Sequence, residues 1–301
     1  MRTSSLTRCH LALLAAGTAF GLISIATPAH ADDPKPDKSG YSLFSPTPDS
    51  ALRDFAADRP AKSFGPTTID AGRVQLETEL FNYSHQKTDG IRTQTYVGPN
   101  PTARIGLLKD IEFQVTYSPF VHQRVTDTTV SPSTTTSASG SSDLFTRLKF
   151  NLLGNDDDSK VQIGLIPYVK WGTAPESLGG NRATEGGLIA AYAFSLPNDW
   201  SLALNTEWDN LKNGANSSYH SQIQQTVGLS KQVVKDVTLT AELWGLANYD
   251  PTLTRPLRQY SFDTALAWMA RKDLQLDVGA NFGLNSQTPS LQVYTGITRR
   301  F

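Results

Sequence analysis

The sequence predicts an all-β fold, a single transmembrane antiparallel β-barrel of about 12 strands. From Arg73 to the last residue, apolar and polar residues alternate with a period of two, which is typical of strands with one apolar and one polar face. Short and long connections between the predicted strands alternate along the chain, as short periplasmic turns and long outer loops do in outer-membrane barrels. The chain also ends in a phenylalanine, Phe301, that closes the last alternating segment.

The first 31 residues have the three-part layout of a secretory signal peptide. Arg2 and Arg8 form a positive start, residues 11–26 are uncharged and mostly apolar, and residues 29–31 (Ala-His-Ala) form a cleavage site. The apolar run is short for a membrane-spanning helix, and no second run follows it. We therefore expect an exported chain whose mature form begins at Asp32.

Charge and cysteine content exclude several classes of function. The formal charge of −1 becomes −3 when Arg2 and Arg8 leave with the signal peptide. The mature chain therefore lacks the excess of basic residues that is typical of nucleic-acid-binding proteins. The single cysteine, Cys9, also lies in the signal peptide, which leaves a mature chain without thiol chemistry. Phosphate-binding and zinc motifs are missing, and the acidic run at 155–158 lacks the spacing of a calcium loop. We expect no catalytic residue, no cofactor and no metal.

The mature chain divides into two parts. Residues 32–72 lack periodicity and are rich in Pro, Asp, Lys and Ser, so we predict a mobile N-terminal periplasmic or entry segment. Residues 73–301 form the barrel, and connection 118–142 is predicted as a long flexible outer loop. The predicted strands are 73–84, 93–107, 110–117, 143–153, 161–172, 185–196, 200–210, 220–231, 236–246, 258–270, 274–284 and 290–301. Their even number places both termini on the periplasmic side.

Aromatic residues near the strand ends predict two girdles at the lipid headgroup levels. The outer girdle contains Tyr117, Trp171, Trp208 and Tyr260, and the periplasmic girdle contains Trp200, Trp268 and Phe301. We expect outer-membrane lipids as partners on this face. The terminal Phe301 resembles the signal that the barrel assembly machinery reads, which adds that machinery as an expected partner.

If the apolar face meets lipid, the polar face lines the lumen, because a charge facing lipid at mid-depth costs about 2–4 kcal/mol. The predicted lumen-lining residues are Gln75, Glu77, Glu79, Arg104, Glu112, Gln114, Arg147, Lys149, Lys170, Glu207, Glu242, Asp263, Asp277 and Arg300. Four aromatic residues share this phase, namely Phe145, Tyr168, Trp244 and Tyr294. They either stack on an aromatic or sugar ligand or fill the interior of a narrow barrel.

Three short motifs carry a family resemblance. The first is Asp58-Arg59-Pro60, followed by residues 72–73 (Gly-Arg) and 75–77 (Gln-Leu-Glu). The second is residues 140–144 (Gly-Ser-Ser-Asp-Leu) with 149–150 (Lys-Phe), and the third is 170–173 (Lys-Trp-Gly-Thr). From about residue 54 to the end, these motifs resemble the outer-membrane transporters named for the meta-pathway of phenol degradation. Ala57 and Ser142 depart from that family's pattern, where Thr and Gly are usual. The family name implies uptake of aromatic compounds.

The entry motif Asp58, Arg59 and Pro60 lies just upstream of the first strand. We predict that Arg59 tucks into the periplasmic mouth and pairs with a lumen carboxylate, since its planar fork suits a carboxylate. The candidate partners are Glu77, Glu79 and Asp277. The alternative is a solvated turn without a partner.

The favoured function is an outer-membrane channel for passive uptake of small molecules, with aromatic or hydrophobic compounds as the implied solutes. One alternative is a structural or adhesive surface barrel with a closed lumen. Another is an outer-membrane phospholipase, which needs a His-x-Ser pair, but His85, His122 and His220 each lack a serine two residues on. A soluble periplasmic β protein would not explain the alternating loop lengths or the terminal phenylalanine.

Overall fold

The structure, a computed structural model, describes residues 37–156 and 159–301. The predicted signal peptide and cleavage site lie outside the described residues. The described residues include three short 3-10 helices, at Asp49–Ala51, Glu176–Leu178 and Pro197–Asp199. The strands within the described residues are β1 (Val74–Thr88), β2 (Ile91–Val97), β3 (Asn100–Leu108), β4 (Ile111–Thr116), β5 (Val121–Asp127), β6 (Thr134–Gly140), β7 (Leu144–Leu153), β8 (Val161–Trp171), β9 (Glu185–Leu196), β10 (Trp200–Lys212), β11 (Tyr219–Val234), β12 (Val237–Asn248), β13 (Leu257–Arg271), β14 (Leu274–Gly283) and β15 (Leu291–Arg300).

Twelve of these strands close into an antiparallel ring. The ring runs β1-β3-β4-β7 and then strand by strand from β8 to β15, and β15 pairs with β1 to complete it. Closure leaves the ring without a free edge, so its backbone polar groups are bonded inside the wall. The predicted all-β barrel of about 12 strands is therefore confirmed.

The other three strands form an outer extension, which we define as β2, β5 and β6. The outer half of β1 pairs with β2, which pairs with β5, and β5 pairs with β6. The prediction of a flexible loop at 118–142 is wrong, because β5 and β6 lie there. Both faces of these strands meet water, so the sequence does not alternate although the backbone is extended. For the same reason the prediction missed the outer part of β1.

Side chains sort between the two faces of the wall as the alternation predicts. In β14, Gln275 and Asp277 are buried, whereas Val278 and Phe282 are exposed on the outer face. The residues of both predicted aromatic girdles are exposed as well, with Trp171, Trp208 and Trp268 between 44% and 50%. The outward surface is therefore apolar, as a membrane-embedded barrel requires. Within the described residues no helix is long and apolar enough to span a membrane.

Candidate functional site

The lumen wall is lined by charged and amide side chains that are almost fully buried. The predicted residues Gln75, Glu77, Arg104, Glu112, Gln114, Lys149, Glu242, Asp263, Asp277 and Tyr294 are all less than 9% exposed. The structure places the predicted Glu79, Arg147, Tyr168, Lys170, Glu207, Trp244 and Arg300 on the same inward phase, with partial exposure. Such burial of charge is stable only with partners. Many of those partners belong to the residues that precede the first strand of the barrel.

Residues 57–69, which we call the inserted segment, lie inside the barrel. The sequence prediction of a mobile periplasmic segment does not describe these residues, since Ser63, Thr68 and Ile69 are all buried. The segment bonds to side chains of β1, β3, β4, β7, β10, β12, β13, β14 and β15. Its order comes from this encircling wall and not from a secondary structure of its own.

Arg59 anchors the inserted segment by a buried ion pair. Its Nη2 donates to Asp277 Oδ1 at 2.7 Å, its Nε donates to Asp277 Oδ2 at 3.4 Å, and its Nη1 lies 3.3 Å from Glu79 Oε1. Gln275 Nε2 also donates to the Arg59 carbonyl oxygen at 3.1 Å. The predicted pairing with Glu79 and Asp277 is thus present, whereas Glu77 has a different role. The next carbonyl, that of Pro60, accepts from Tyr294 Oη at 2.9 Å.

Asp58 is the second anchor, held by lumen cations. Lys149 Nζ donates to its Oδ1 and Oδ2 at 2.8 and 2.9 Å, and Gln114 Nε2 donates to Oδ2 at 3.1 Å. Burial raises the pKa of Asp58, but the charges of Arg104 and Lys149 outweigh burial and lower the pKa to about 2. Asp58 is therefore ionised under all physiological conditions.

Wall carboxylates also cap the backbone of the inserted segment. Glu77 accepts from the N–H groups of Asp58 and Arg59, each at 3.1 Å. Glu112 accepts from the N–H of Ile69 at 2.7 Å. Glu242 accepts from the N–H groups of Lys62 and Ser63, and from Ser63 Oγ at 2.5 Å. Irregular backbone inside a membrane barrel needs such partners, because otherwise its polar groups would be buried without hydrogen bonds.

The tip of the inserted segment reaches the far wall. Lys62 Nζ lies 3.0 Å from Asp263 Oδ2, donates to Ser261 Oγ at 2.7 Å and sits 4.4 Å from the Trp244 ring centre. Phe64 packs on an apolar patch of the inner wall, formed by Ile166, Ile189 and Ala191. Asn205 holds the Phe64 backbone on both sides, accepting from its N–H and donating to its carbonyl oxygen.

Two wall glycines make room for the inserted segment. A Cβ on Gly296 would lie 2.3 Å from Arg59 Nη2, and a Cβ on Gly164 would lie 2.7 Å from the Pro66 carbonyl oxygen. Both glycines lie on the lumen-facing side of their strands, and the sequence analysis did not predict a role for them. A glycine on the lumen phase is a sequence signal for close approach of another backbone.

A chamber of about 450 Å³ lies on the outer side of the inserted segment. Lys62 and Phe64 of that segment contribute to its lining, together with Phe145, Tyr168 and Trp244. Glu207 and Asp209 also line it, and Tyr168 Oη donates to Asp209 Oδ1 at 2.5 Å. The structure therefore brings three of the four predicted inward aromatics together, while Tyr294 lies beside Arg59. The sequence analysis did not single out Asp209, Lys62 or Phe64.

The remaining candidate features are spread along the wall. Arg104 Nε lies 2.9 Å from Glu112 Oε1, and its Nη1 lies 2.9 Å from Glu77 Oε1. Lys170 pairs with Asp143 and Glu185, and Arg300 donates to the Arg53 carbonyl oxygen at 2.7 Å. Within the described residues, no group of three or more His, Cys, Asp or Glu side chains has a metal-binding arrangement.

Comparison with solved structures finds a similar fold in an outer membrane channel and gives lower scores for two other proteins. An outer membrane channel from Pseudomonas putida F1 superposes with a TM-score of 0.59 at 13% identity, over 82% of this chain and 100% of that chain. The beta domain of the Bordetella autotransporter Brka gives 0.49 at 10% identity, over 76% and 99%. The NanC porin gives 0.47 at 8% identity, over 74% and 98%.

Comparison of sequences gives one family. Residues 57–301 match the model of the family described as "MetA-pathway of phenol degradation". The match begins at the inserted segment and covers the whole barrel. No curated protein sequence matches the chain significantly.

Proposed function

Because this outer-membrane barrel belongs to the family described as "MetA-pathway of phenol degradation", we propose that it is a channel for passive uptake of small molecules, aromatic or hydrophobic compounds among them. The observation that carries the proposal is the polar, charge-lined lumen of the closed barrel, with a chamber beside the inserted segment. A barrel built only as a surface platform has no need of a solute-sized chamber lined by aromatic and charged groups.

The inserted segment sets the permeability of this channel. It reaches from Arg59 at β14 to Phe64 at the β8–β9 patch, and so crosses the lumen. Solutes must pass beside it or displace it. The segment is held by hydrogen bonds and ion pairs and lacks a large apolar core, so local release costs less than unfolding of the wall.

Uptake is tested by the swelling of proteoliposomes in isotonic solutes. We expect faster swelling with small solutes that cross a bare bilayer slowly, such as glycine or arabinose, than in protein-free liposomes, and slow or no swelling with disaccharides. A matched control is liposomes with heat-denatured protein. Equal rates with folded and denatured protein would remove the channel proposal and leave the fold unchanged.

The closed-lumen alternative is favoured by one observation, the many bonds that hold the inserted segment across the barrel. Bilayer recordings discriminate between the two functions, because a structural or adhesive barrel gives no unitary current. The outer extension, rich in Ser and Thr at β6, would then be the functional surface.

We also propose that the barrel is not an enzyme. His122 Nδ1 lies 2.8 Å from Ser139 Oγ, and His85 Nδ1 lies 3.2 Å from Ser290 Oγ, both on exposed outer strands. A hydrolytic serine also needs a third group that orients the imidazole. A lipolysis assay on purified protein tests this, and activity lost in Ser139→Ala or Ser290→Ala would contradict it.

The remaining partners are proposals as well. The exposed apolar wall is proposed to contact outer-membrane lipids, and Phe301 to be read by the barrel assembly machinery. Phe301 directly follows β15, the strand that closes the ring, and its N–H donates to the Val74 carbonyl oxygen at 2.8 Å. Deletion of Phe301 should reduce the amount of assembled barrel in cells, and unchanged assembly would contradict the role. We propose no nucleic-acid partner.

A further inference from the structure

The chamber beside the inserted segment combines aromatic walls with two acidic side chains. Its aromatic lining residues are Phe64, Phe145, Tyr168 and Trp244. Glu207 and Asp209 line it too, and among the described residues neither carboxylate has a cationic side chain within 4.0 Å. This differs from other wall acids, such as Asp263 and Asp277, which are paired.

Asp209 is a buried carboxylate that is satisfied by neutral donors. Its Oδ1 accepts from Tyr168 Oη, and its Oδ2 accepts from Gln222 Nε2 at 2.8 Å and Gln224 Nε2 at 2.9 Å. These three donors hold the carboxylate in place without cancelling its charge. Asp209 itself is 1% exposed, so water screens that charge weakly.

The lysines that line the chamber, and the nearby Arg147, are engaged with other groups. Lys62 is committed to Asp263, and Lys170 is committed to Asp143 and Glu185. The guanidinium of Arg147 lies 5.3 Å from the Phe64 ring centre and 5.1 Å from that of Phe145. The lining contains two lysines and two carboxylates, and each lysine is already paired with carboxylates outside the lining, so Glu207 and Asp209 have no lysine partner of their own among the described residues. An ammonium group that enters the chamber can therefore meet two acidic side chains that no lysine neutralises.

Cationic side chains of the protein already lie over the faces of its aromatic rings. Lys62 lies over Trp244, and Arg147 lies over Phe64 and Phe145, which is the geometry of cation–π attraction. A ring surface of this kind accepts an ammonium group and an apolar body equally well. The volume of about 450 Å³ lies within the range that holds small organic ligands.

We propose that the chamber is a binding site for organic cations, in which an ammonium group lies near Glu207 and Asp209 and an apolar or aromatic body packs on the rings. The inference rests on the proposed uptake function and names a solute class for it. The same charges disfavour aromatic carboxylates, which carry an aromatic body with the opposite charge.

The test measures binding of three matched probes by calorimetry, with folded protein in detergent. The probes are benzyltrimethylammonium, benzyl alcohol and benzoate, which share a phenyl ring and differ in charge. We expect benzyltrimethylammonium to bind at least about ten-fold more tightly than benzoate, with benzyl alcohol between them. Equal affinity for all three, or tighter binding of benzoate, would overturn the proposal.

Two variants locate the site. Glu207→Gln and Asp209→Asn should each weaken binding of benzyltrimethylammonium by several-fold and leave benzyl alcohol nearly unchanged. Matched controls are Glu176→Gln in an outer loop and Asp199→Asn in a periplasmic turn, both exposed. If the buried Asp209 variant does not fold, the partly exposed Glu207 variant decides the question alone. Unchanged cation affinity in Glu207→Gln would contradict the proposed site.

Failure here is distinguishable from failure of the uptake function. Binding in detergent does not require conduction, so a barrel that binds the cation without conducting would contradict only the channel. A barrel that conducts without charge discrimination would contradict only the cation site.

Discussion

Arg59 and Asp277 form the bond on which the position of the inserted segment depends most. The Asp277 side chain is 0% exposed, and the two hydrogen bonds from one guanidinium fix its partner in a single orientation. Removing one member of a buried ion pair leaves the other charge without compensation, at a cost of about 3 kcal/mol or more. The Arg59–Asp277 pair therefore contributes a large share of the free energy that holds the segment in the lumen.

Arg59→Ala should consequently raise the unitary conductance or make the current noisier, because the inserted segment leaves the wall for part of the time. Arg59→Lys keeps the charge but loses the forked hydrogen bonds, so we expect an intermediate effect. Glu77→Gln, which weakens the cap on two backbone N–H groups, should act in the same direction. Planar-bilayer recordings measure all three variants.

The matched control is Arg182→Ala, whose side chain is 73% exposed in an outer loop. It removes the same charge without touching the lumen, and its current should resemble that of the unmodified protein. A current in Arg59→Ala that also resembles the unmodified protein, in a folded barrel, would show that Arg59 does not hold the segment.

Asp58 gives the site a dependence on acid pH. Its pKa falls from the usual 3.8 to about 2 in the folded protein, so the ionised form favours the folded state. The stabilisation is complete above the usual pKa and is lost as the pH falls through the folded pKa. Current noise from release of the segment should thus rise between about pH 4 and 2 and stay constant from pH 5 to 8.

The control for this prediction is Asp58→Asn. This variant removes at every pH the carboxylate that accepts two hydrogen bonds from Lys149, so its noise should be raised at neutral pH and should change less on acidification. A rise in noise with midpoint near pH 6, or equal acid responses in both proteins, would exclude Asp58 as the group responsible.

At the scale of strands, the inserted segment packs directly against wall glycines whose positions leave no room for a larger side chain. Gly296→Ala places a methyl group against the Arg59 guanidinium, although alanine is well tolerated in a strand. We expect a folded barrel with a displaced segment and an altered current. Gly245→Ala is the matched control, because its methyl group would meet only the edge of the Tyr260 side chain at 3.2 Å. Equal currents in both variants would contradict the close-approach role of Gly296.

Strands β5 and β6 of the outer extension are separable from the ring. The β4–β7 pairing of the ring uses residues 111–116 and 145–150, and the Ser142 N–H donates to the Ser118 carbonyl oxygen at 2.9 Å. Residues 119–141 therefore begin and end at neighbouring points. Replacing them by a short Gly-Ser linker should leave heat-modifiable migration on gels intact. Loss of that migration, while a linker insertion at the exposed loop residues 214–218 preserves it, would show that β5 and β6 are needed for assembly.

The strands of the ring were predictable because lipid and lumen impose opposite requirements on alternate residues. The alternation of polar and apolar residues was enough to assign Glu77 and Asp277 to the lumen. β5 and β6 could not be found in this way, since water wets both of their faces and removes the alternation. The tight end of the β1–β2 hairpin was missed for the same reason.

At the scale of the whole molecule, the inserted segment is the part that sequence reasoning described least well. Its bonds join positions far apart in the chain, such as Arg59 with Asp277 and Lys62 with Asp263, and no local spacing encodes such pairs. The pairing of Arg59 was predictable because excess carboxylates lay on one phase near the periplasmic end. The route of residues 60–69, the chamber and the role of Asp209 follow only from the closed barrel.

The central claim is that a conducting barrel is narrowed by its own N-terminal residues. Its most direct test compares the unitary conductance of the unmodified protein with that of a variant in which residues 57–66 are replaced by a short Gly-Ser linker. Heat-modifiable migration on gels confirms that both proteins are folded. We predict a small conductance for the unmodified protein and a several-fold larger one for the variant. Equal conductance in two folded barrels, or no conductance in either, would contradict the account.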